Sequence, residues 1–243
     1  MKLKGSPTAP ALAAALFVGL TGLSGAALAQ SSGSLTANAA VVSDYRFRGI
    51  SQTFRKPALQ LGADYVHSDG WYVGTWGSMI EKTQYPDGAG IEWDVYGGYK
   101  MALGNGWTLD AGLLQYLYPG AGGYNTLEAY IGASWDWFLV KYSHGLRSKY
   151  FGVEDARGSG YLDVTGTYPL SPGFNVIAHV GYQYIAKNSG DYTDYKLGVT
   201  YDWQGFTWGA AVAGTNKDFS HTKGSRTKDI GDAGLVLSIS KTF

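Results

Sequence analysis

The chain has 243 residues and balances 19 Lys+Arg against 19 Asp+Glu, which leaves no basic stripe for a nucleic-acid partner. It has no cysteine, which excludes thiolate metal sites and cysteine nucleophiles. Charged residues make up 16% of the chain, against ~25% in an ordinary soluble domain, while Gly (36), Tyr (19) and Trp (8) abound; this suits a sheet whose outer face meets lipid.

The chain opens with the pattern of an export signal. Lys2 and Lys4 supply a basic start, an Ala/Leu-rich stretch runs from about Ala9 to Leu28, and Ala27-Leu28-Ala29 forms a small-x-small cleavage site before Gln30. Residues 1–29 are therefore expected to be a cleaved signal peptide, and residues 30–243 one mature domain. Without Lys2 and Lys4, 17 basic residues face 19 acidic ones, a balance of −2. No later apolar run is long enough for a helical membrane span.

Beyond the signal the dominant pattern has a period of two, the mark of strands with unlike faces. Ile91, Trp93, Val95, Tyr99 and Met101 alternate with Glu92, Asp94, Tyr96 and Lys100; Tyr195, Leu197, Val199 and Tyr201 alternate with Asp194, Lys196, Thr200 and Asp202. Such segments predict about twelve strands: 34–48, 57–66, 71–80, 90–102, 107–118, 125–134, 138–145, 159–169, 174–186, 193–203, 206–215 and 232–243. Many are close to the ~9–11 residues that a tilted strand needs to cross a bilayer.

The connections alternate between tight and long. His67–Gly70, Leu103–Gly106, Trp135–Trp137, Leu170–Gly173 and Gln204-Gly205 are short, whereas 145–158 and 216–231 are extended. In four of the short turns a Gly precedes an aromatic residue (Trp71, Trp107, Phe174, Phe206). Gly supplies the positive φ of a tight hairpin, and the ring then stands at a membrane boundary. Trp71, Trp107, Trp135, Trp137 and Trp203 all flank short turns, and Tyr45, Tyr118, Tyr124, Tyr142 and Tyr184 are expected to form a girdle at the other end. Alternation alone would equally suit an exported β-sandwich. The turn–loop asymmetry, the tryptophans and the low charge decide for an all-β transmembrane antiparallel up-and-down β-barrel.

The last strand places Leu235, Leu237, Ile239 and Phe243 on one face, similar to the signal read by barrel-assembly machinery. Lys241 interrupts that face, where a long side chain can snorkel to the interface. The stretch Ser43-Asp44-Tyr45-Arg46-Phe47-Arg48-Gly49-Ile50-Ser51-Gln52, the later Gly70–Ser78 run, Glu92-Trp93-Asp94 and Tyr96-Gly97-Gly98-Tyr99 resemble the TorF-type family of proteobacterial porins. The resemblance covers essentially the whole mature chain. It implies a barrel in the outer membrane of a Gram-negative bacterium, and it brings no catalytic residues.

If the apolar phase faces lipid, the polar phase faces the lumen. The expected pore-lining set is Asp44, Arg46, Arg48, Gln60, Asp64, Glu92, Asp94, Lys100, Glu128, Lys141, Asp163, His179, Asp194 and Lys196, with Asp110, Asn175, Gln183 and Asp202 in the same phase. An Arg or Lys facing lipid would cost roughly 2–4 kcal/mol at mid-membrane, so these charges require a wet or mutually paired interior. Arg46 and Arg48 share a face near the expected outer mouth, where bracing against lumenal acids is favoured over drawing anions inward. Ser143 and His144 are adjacent and point to opposite faces, so they form no dyad. His179 is lumenal, but sequence places no nucleophile or acid beside it.

The expectation is a channel for passive diffusion of small hydrophilic solutes or ions, without enzymatic activity, cofactor or metal. The alternative is a non-conducting structural or surface-interaction barrel, with an outer-membrane hydrolase less favoured. The expected partners are outer-membrane lipid and lipopolysaccharide, the assembly machinery and the solutes themselves; Lys217, His221, Lys223, Arg226 and Lys228 of the 216–231 loop offer a contact for lipopolysaccharide phosphates, although a simply solvated charged loop is the favoured reading.

Overall fold

The computed structural model describes residues 33–85, 88–187 and 189–243. The signal-peptide expectation lies outside these residues. Twelve strands close into one antiparallel barrel: β1 (Gly33–Val42), β4 (Ala58–His67), β5 (Trp71–Met79), β6 (Ile91–Gly104), β7 (Trp107–Leu117), β8 (Thr126–Trp135), β9 (Phe138–Gly145), β10 (Gly160–Ser171), β11 (Phe174–Tyr184), β12 (Tyr192–Trp203), β13 (Phe206–Thr215) and β16 (Gly234–Thr242). Each strand pairs with its neighbour in the chain, and β1 closes the ring on β16, with Val41 opposite both Leu59 and Ile239. Two short hairpins lie outside the barrel sheet: β2 (Arg46–Phe47) with β3 (Ile50–Ser51), and β14 (Ser220–Lys223) with β15 (Arg226–Asp229).

Alternating side chains fix which face is inside. Leu61, Ile91, Leu197, Leu235 and Leu237 are exposed on the outer surface, whereas Glu92, Asp94 and Glu128 are fully buried within. A one-residue slip would reverse every strand's faces, so the apolar phase also sets the register. The tight turns behave as the sequence implies. Asn105 and Gly106 have φ of 52° and 83°, and Gln204 and Gly205 have 52° and 75°, matching the twist that primed hairpin turns supply. Pro169, which cannot donate to a ladder, lies where β10 slips register against β11. The turn-flanking tryptophans are exposed, and Trp107 stacks on Trp135 at 6.2 Å. Lys241 stands over the rings of Phe206 and Phe243 at 5.3 and 5.2 Å, so the cation is accommodated at this rim.

Three expectations need correction. The first strand, expected to run to residue 48, ends at Val42, and residues 43–57 fold into the barrel. The alternation that seemed to continue through Asp44, Arg46 and Arg48 does not mark a wall, because Tyr45 and Phe47 in the opposite phase are also withdrawn from the outer surface. The chain reverses at Arg48 and Gly49, with φ of 47° and 80°. Gly49 is required there twice over, since a Cβ would also meet Asp194 Cβ and Gly214 O at 2.7 Å. Second, Tyr45 and Tyr118 are buried inside and do not belong to an outer girdle, although Tyr142 and Tyr184 are exposed. Third, the 216–231 loop is not simply solvated chain, because β14 and β15 pair within it.

The packed core lies inside the barrel and is lopsided. Strands β5 to β8 project Tyr72, Trp76, Tyr96, Leu114, Tyr116 and Tyr130 inward. The facing wall projects Gly198, Gly209, Ala211, Ala213 and Ser238 into a cavity. Large rings fill one side, and small residues keep the other side open.

Candidate functional site

The in-folded segment between β1 and β4 crosses the barrel, and Arg48 is its tip. The Arg48 guanidinium donates from Nη2 to both oxygens of Glu128 at 2.8 Å, and from Nη1 to Tyr150 Oη at 2.6 Å and Gln183 Oε1 at 2.7 Å. It also lies 4.2 Å from the centre of the Tyr161 ring. Tyr150 donates to Glu128 at 2.7 Å, which closes the network. These partners come from β8, β10, β11 and the loop after β9, the wall opposite to where the segment originates. Both the guanidinium and Glu128 are almost wholly removed from solvent, so the pair survives only because its hydrogen bonds are complete.

The base of the segment is tied by Asp44. It accepts from Ser51 Oγ at 2.5 Å, Thr53 Oγ1 at 3.1 Å and Arg46 Nε at 2.8 Å. Arg46 in turn donates to the carbonyls of Gly49, Ala213 and Asp232. Tyr45 donates to Glu92 Oε1 at 3.1 Å. From the loop side the β14–β15 hairpin holds the segment down: Lys228 lies over the Phe54 ring at 4.8 Å, and Arg55 donates to the Asp229 carbonyl. Glu81, after β5, accepts from Lys223 of the hairpin and lies 3.5 Å from Lys56. Burial acts to raise the Glu81 carboxyl, but the Lys223 ammonium, the Thr83 N–H and Lys56 outweigh it and hold the group below the usual carboxylate range.

The segment divides the interior into two spaces. The outer cavity, about 310 Å³, is lined by Tyr85, Tyr118, Tyr124, Phe151, Tyr192 and Phe219 among others, and among the described residues no charged side chain lines it. The inner cavity, about 180 Å³, carries both signs, with Lys141, Lys196, Asp163, His179 and Asp194 on its wall. Phe47 borders both.

The fourteen residues of the expected set divide into two groups. Gln60, Asp64, Glu92, Asp94, Lys100, Glu128, Lys141, Asp163, His179, Asp194 and Lys196 lie on barrel strands in the inward phase. Asp44, Arg46 and Arg48 belong to the in-folded segment instead. The wall residues are knitted together by tyrosines. Tyr72 donates to Asp110 at 2.6 Å and shares a hydrogen bond with Tyr130, Tyr96 donates to Asp64 at 2.6 Å, and Lys100 lies over Tyr72 at 5.0 Å.

His179 has neighbours that the sequence could not assign. Its Nε2 lies 3.0 Å from Asp194 and its Nδ1 3.2 Å from Asp163, with Thr165 Oγ1 at 2.8 Å. Adjacent antiparallel strands β10, β11 and β12 bring them together through the pairs Thr165↔His179 and His179↔Lys196. The Thr165 hydroxyl is engaged with Asp163 at 2.6 Å, and the imidazole bridges two carboxylates, an arrangement suited to bracing more than to activating a nucleophile. Tyr150 was missed altogether. It lies in a long loop where periodicity offers no phase, and only folding brings it to Arg48.

The barrel is similar to two solved structures. One is described as the KdgM porin (TM-score 0.56, 9% sequence identity, covering 86% of this chain and 99% of that one). The other is described as the NanC porin (TM-score 0.58, 12% identity, covering 86% and 98%). At such identities the likeness shows a shared fold. No curated protein matches the sequence. Residues 26–243 match the model of the Gcw_chp family, and the chain belongs to this family of bacterial proteins of unknown function.

Proposed function

We propose that this chain is an outer-membrane channel for passive diffusion of small hydrophilic solutes or ions, with the segment 43–57 as its constriction. The observation that carries the reading is the pair of cavities on either side of that segment, one at the loop end and one walled by charges of both signs. Twelve strands give a barrel between the filled eight-stranded type and the open porins of 16–18 strands, so one in-folded segment is enough to narrow it. The likeness of the fold to two porins and the TorF-type resemblance of the 43–52 motif support the same reading.

A second reading, a non-conducting structural barrel, draws on the Arg48–Glu128 pair, which closes the interior with a fully bonded network. Single-channel recording of the refolded protein in a planar bilayer separates the two. Discrete conductance steps from the wild type support the channel. A folded wild type and a folded Arg48→Ala variant that are both silent would overturn it in favour of the structural barrel.

A further inference from the structure

The outer cavity is walled by rings and amides. Of the fifteen described residues around it, eight are aromatic, three are glutamines and none is charged. The rings hold one another in place. Tyr85 stacks on Tyr118 at 5.1 Å, Tyr124 meets both edge-on at 5.2 and 6.2 Å, and Tyr192 meets Phe219 edge-on at 5.0 Å. Tyr85 and Tyr150 give their hydroxyls to Gln52 and Glu128, so what they offer a visitor is chiefly the ring.

The three amides differ in what they have left to give. A side-chain amide carries two N–H donors and a carbonyl oxygen with two lone pairs. Both donors of Gln183 are spent, on Gly160 O and Tyr184 O at 3.0 Å, and its oxygen accepts from Arg48 at 2.7 Å. Gln52 gives one N–H to Ile50 O at 3.0 Å and accepts from Tyr85 Oη. Gln84 gives one N–H to Ser51 O at 2.8 Å and accepts from the Phe54 N–H at 2.9 Å. Gln52 and Gln84 therefore each retain one donor and one acceptor, and their other bonds fix where these stand.

We propose that the outer cavity binds an uncharged pyranose sugar. The faces of a pyranose carry C–H bonds, whose slightly positive hydrogens suit the negative face of a Tyr or Phe ring. Its hydroxyls each give and accept hydrogen bonds, which matches the donor and acceptor that Gln52 and Gln84 retain. A charged solute would lose its water against a lining without counter-charge, which costs far more than burying a hydroxyl that finds a partner. An organic cation is also drawn to ring faces, but Arg48 already stands 4.7 and 5.5 Å from the Phe47 and Phe151 ring centres. At about 310 Å³ the cavity is at the small end of the roughly 300–1,000 Å³ of ligand sites, which suits one sugar ring. That this sugar is the solute passed rests on the channel reading; the site itself rests on the loop end alone.

The test is saturation-transfer NMR on the refolded protein in a polyoxyethylene detergent, whose head group carries no sugar. It reads binding without needing conductance. The probes are glucose, galactose, mannose and xylose, with glucuronate, glucosamine, phenol and tetramethylammonium as comparators. At least one uncharged sugar should bind saturably, weakly enough to leave again, and more tightly than any comparator. Tyr124→Ala and Gln84→Met should each weaken it about two- to tenfold, by removing a ring face and an amide. Trp71→Ala, at an exposed ring of the turn end, should leave it unchanged. No saturable binding of any of the four sugars overturns the site, as does binding that survives both cavity changes or falls in Trp71→Ala. A comparator that binds as tightly as the best sugar also overturns it. Should one cavity variant fail to fold, the other decides. Sugar binding by a barrel that never conducts would keep the site and remove the channel, and conductance without sugar binding would do the opposite.

Discussion

Arg48 reaches Glu128 across the barrel, 80 residues away in sequence, and satisfies both carboxylate oxygens at 2.8 Å from a single nitrogen. Tyr150 and Gln183 complete the guanidinium's partners, so the tip of the in-folded segment is fixed by side chains alone on that wall. A contact of this kind holds the segment only while both charges are present.

Removing one charge should therefore be worse than removing both. Arg48→Met leaves Glu128 buried and uncompensated, which is expected to cost about 3–5 kcal/mol of barrel stability. The double change Arg48→Met/Glu128→Gln should recover most of that loss. Urea unfolding of the four proteins of this cycle, followed by electrophoretic mobility, measures the coupling. Equal losses in the single and double variants would show that the pair is not what holds the segment.

The hairpin clasp should be acid-labile. Glu81 is held below its ordinary range by Lys223, the Thr83 N–H and Lys56 against the opposing effect of burial. A carboxyl whose folded value is depressed contributes stability that is complete above its unfolded value, near pH 4.3, and is lost as pH falls through the lower folded value. Hydrogen exchange of residues 220–229, corrected for intrinsic rates, should quicken below about pH 4. Glu81→Gln should show the fast exchange already at neutral pH. A hairpin equally protected in both proteins at all pH values would remove the clasp from the argument.

Neighbouring positions on β12 should respond oppositely to charge. Leu197 is 63% exposed on the outer face, while Lys196 points into the inner cavity. Leu197→Arg is expected to cost about 2–4 kcal/mol in a bilayer, whereas Lys196→Arg, on the wet side, should cost less than about 1 kcal/mol. Folding titrations in lipid vesicles give both values. A similar cost at the two positions would contradict the assignment of faces.

The barrel was legible because its strands repeat one rule. Each long strand buries one phase and exposes the other, and the turns carry Gly and aromatic residues where geometry and interface demand them. The expected turn Gln204-Gly205 is the observed one, and the expected strand 206–215 coincides with β13. The same rule misled at Asp44, Arg46 and Arg48, since three charges at alternate positions look identical on a wall and on a chain folded inside it. What reverses the chain there is local, the positive φ at Arg48 and Gly49. The partners of Arg48 are set by barrel closure, which brings distant strands face to face, and the His179 cluster depends on strand register. Periodicity reports the face of a residue and says nothing of its neighbour across the lumen.

Ion preference offers the most direct reading of the inner cavity. Asp163 and Asp194 are both engaged by His179, whereas Lys141 and Lys196 form no salt bridge among the described residues. The acids' fields are thus partly spent on the imidazole, and the two ammonium groups act on whatever enters. Charges lining a narrow water-filled passage set which ions it passes. Lys196→Gln and Lys141→Gln should each move the reversal potential in a salt gradient toward cation preference, and the double variant should move it further. Asp163→Asn should move it the other way, by removing one of the carboxylates that the imidazole shares. Conductance steps with a reversal potential unchanged in all four proteins would mean that ions pass without sensing this wall, and the inner cavity would then lie off the permeation path.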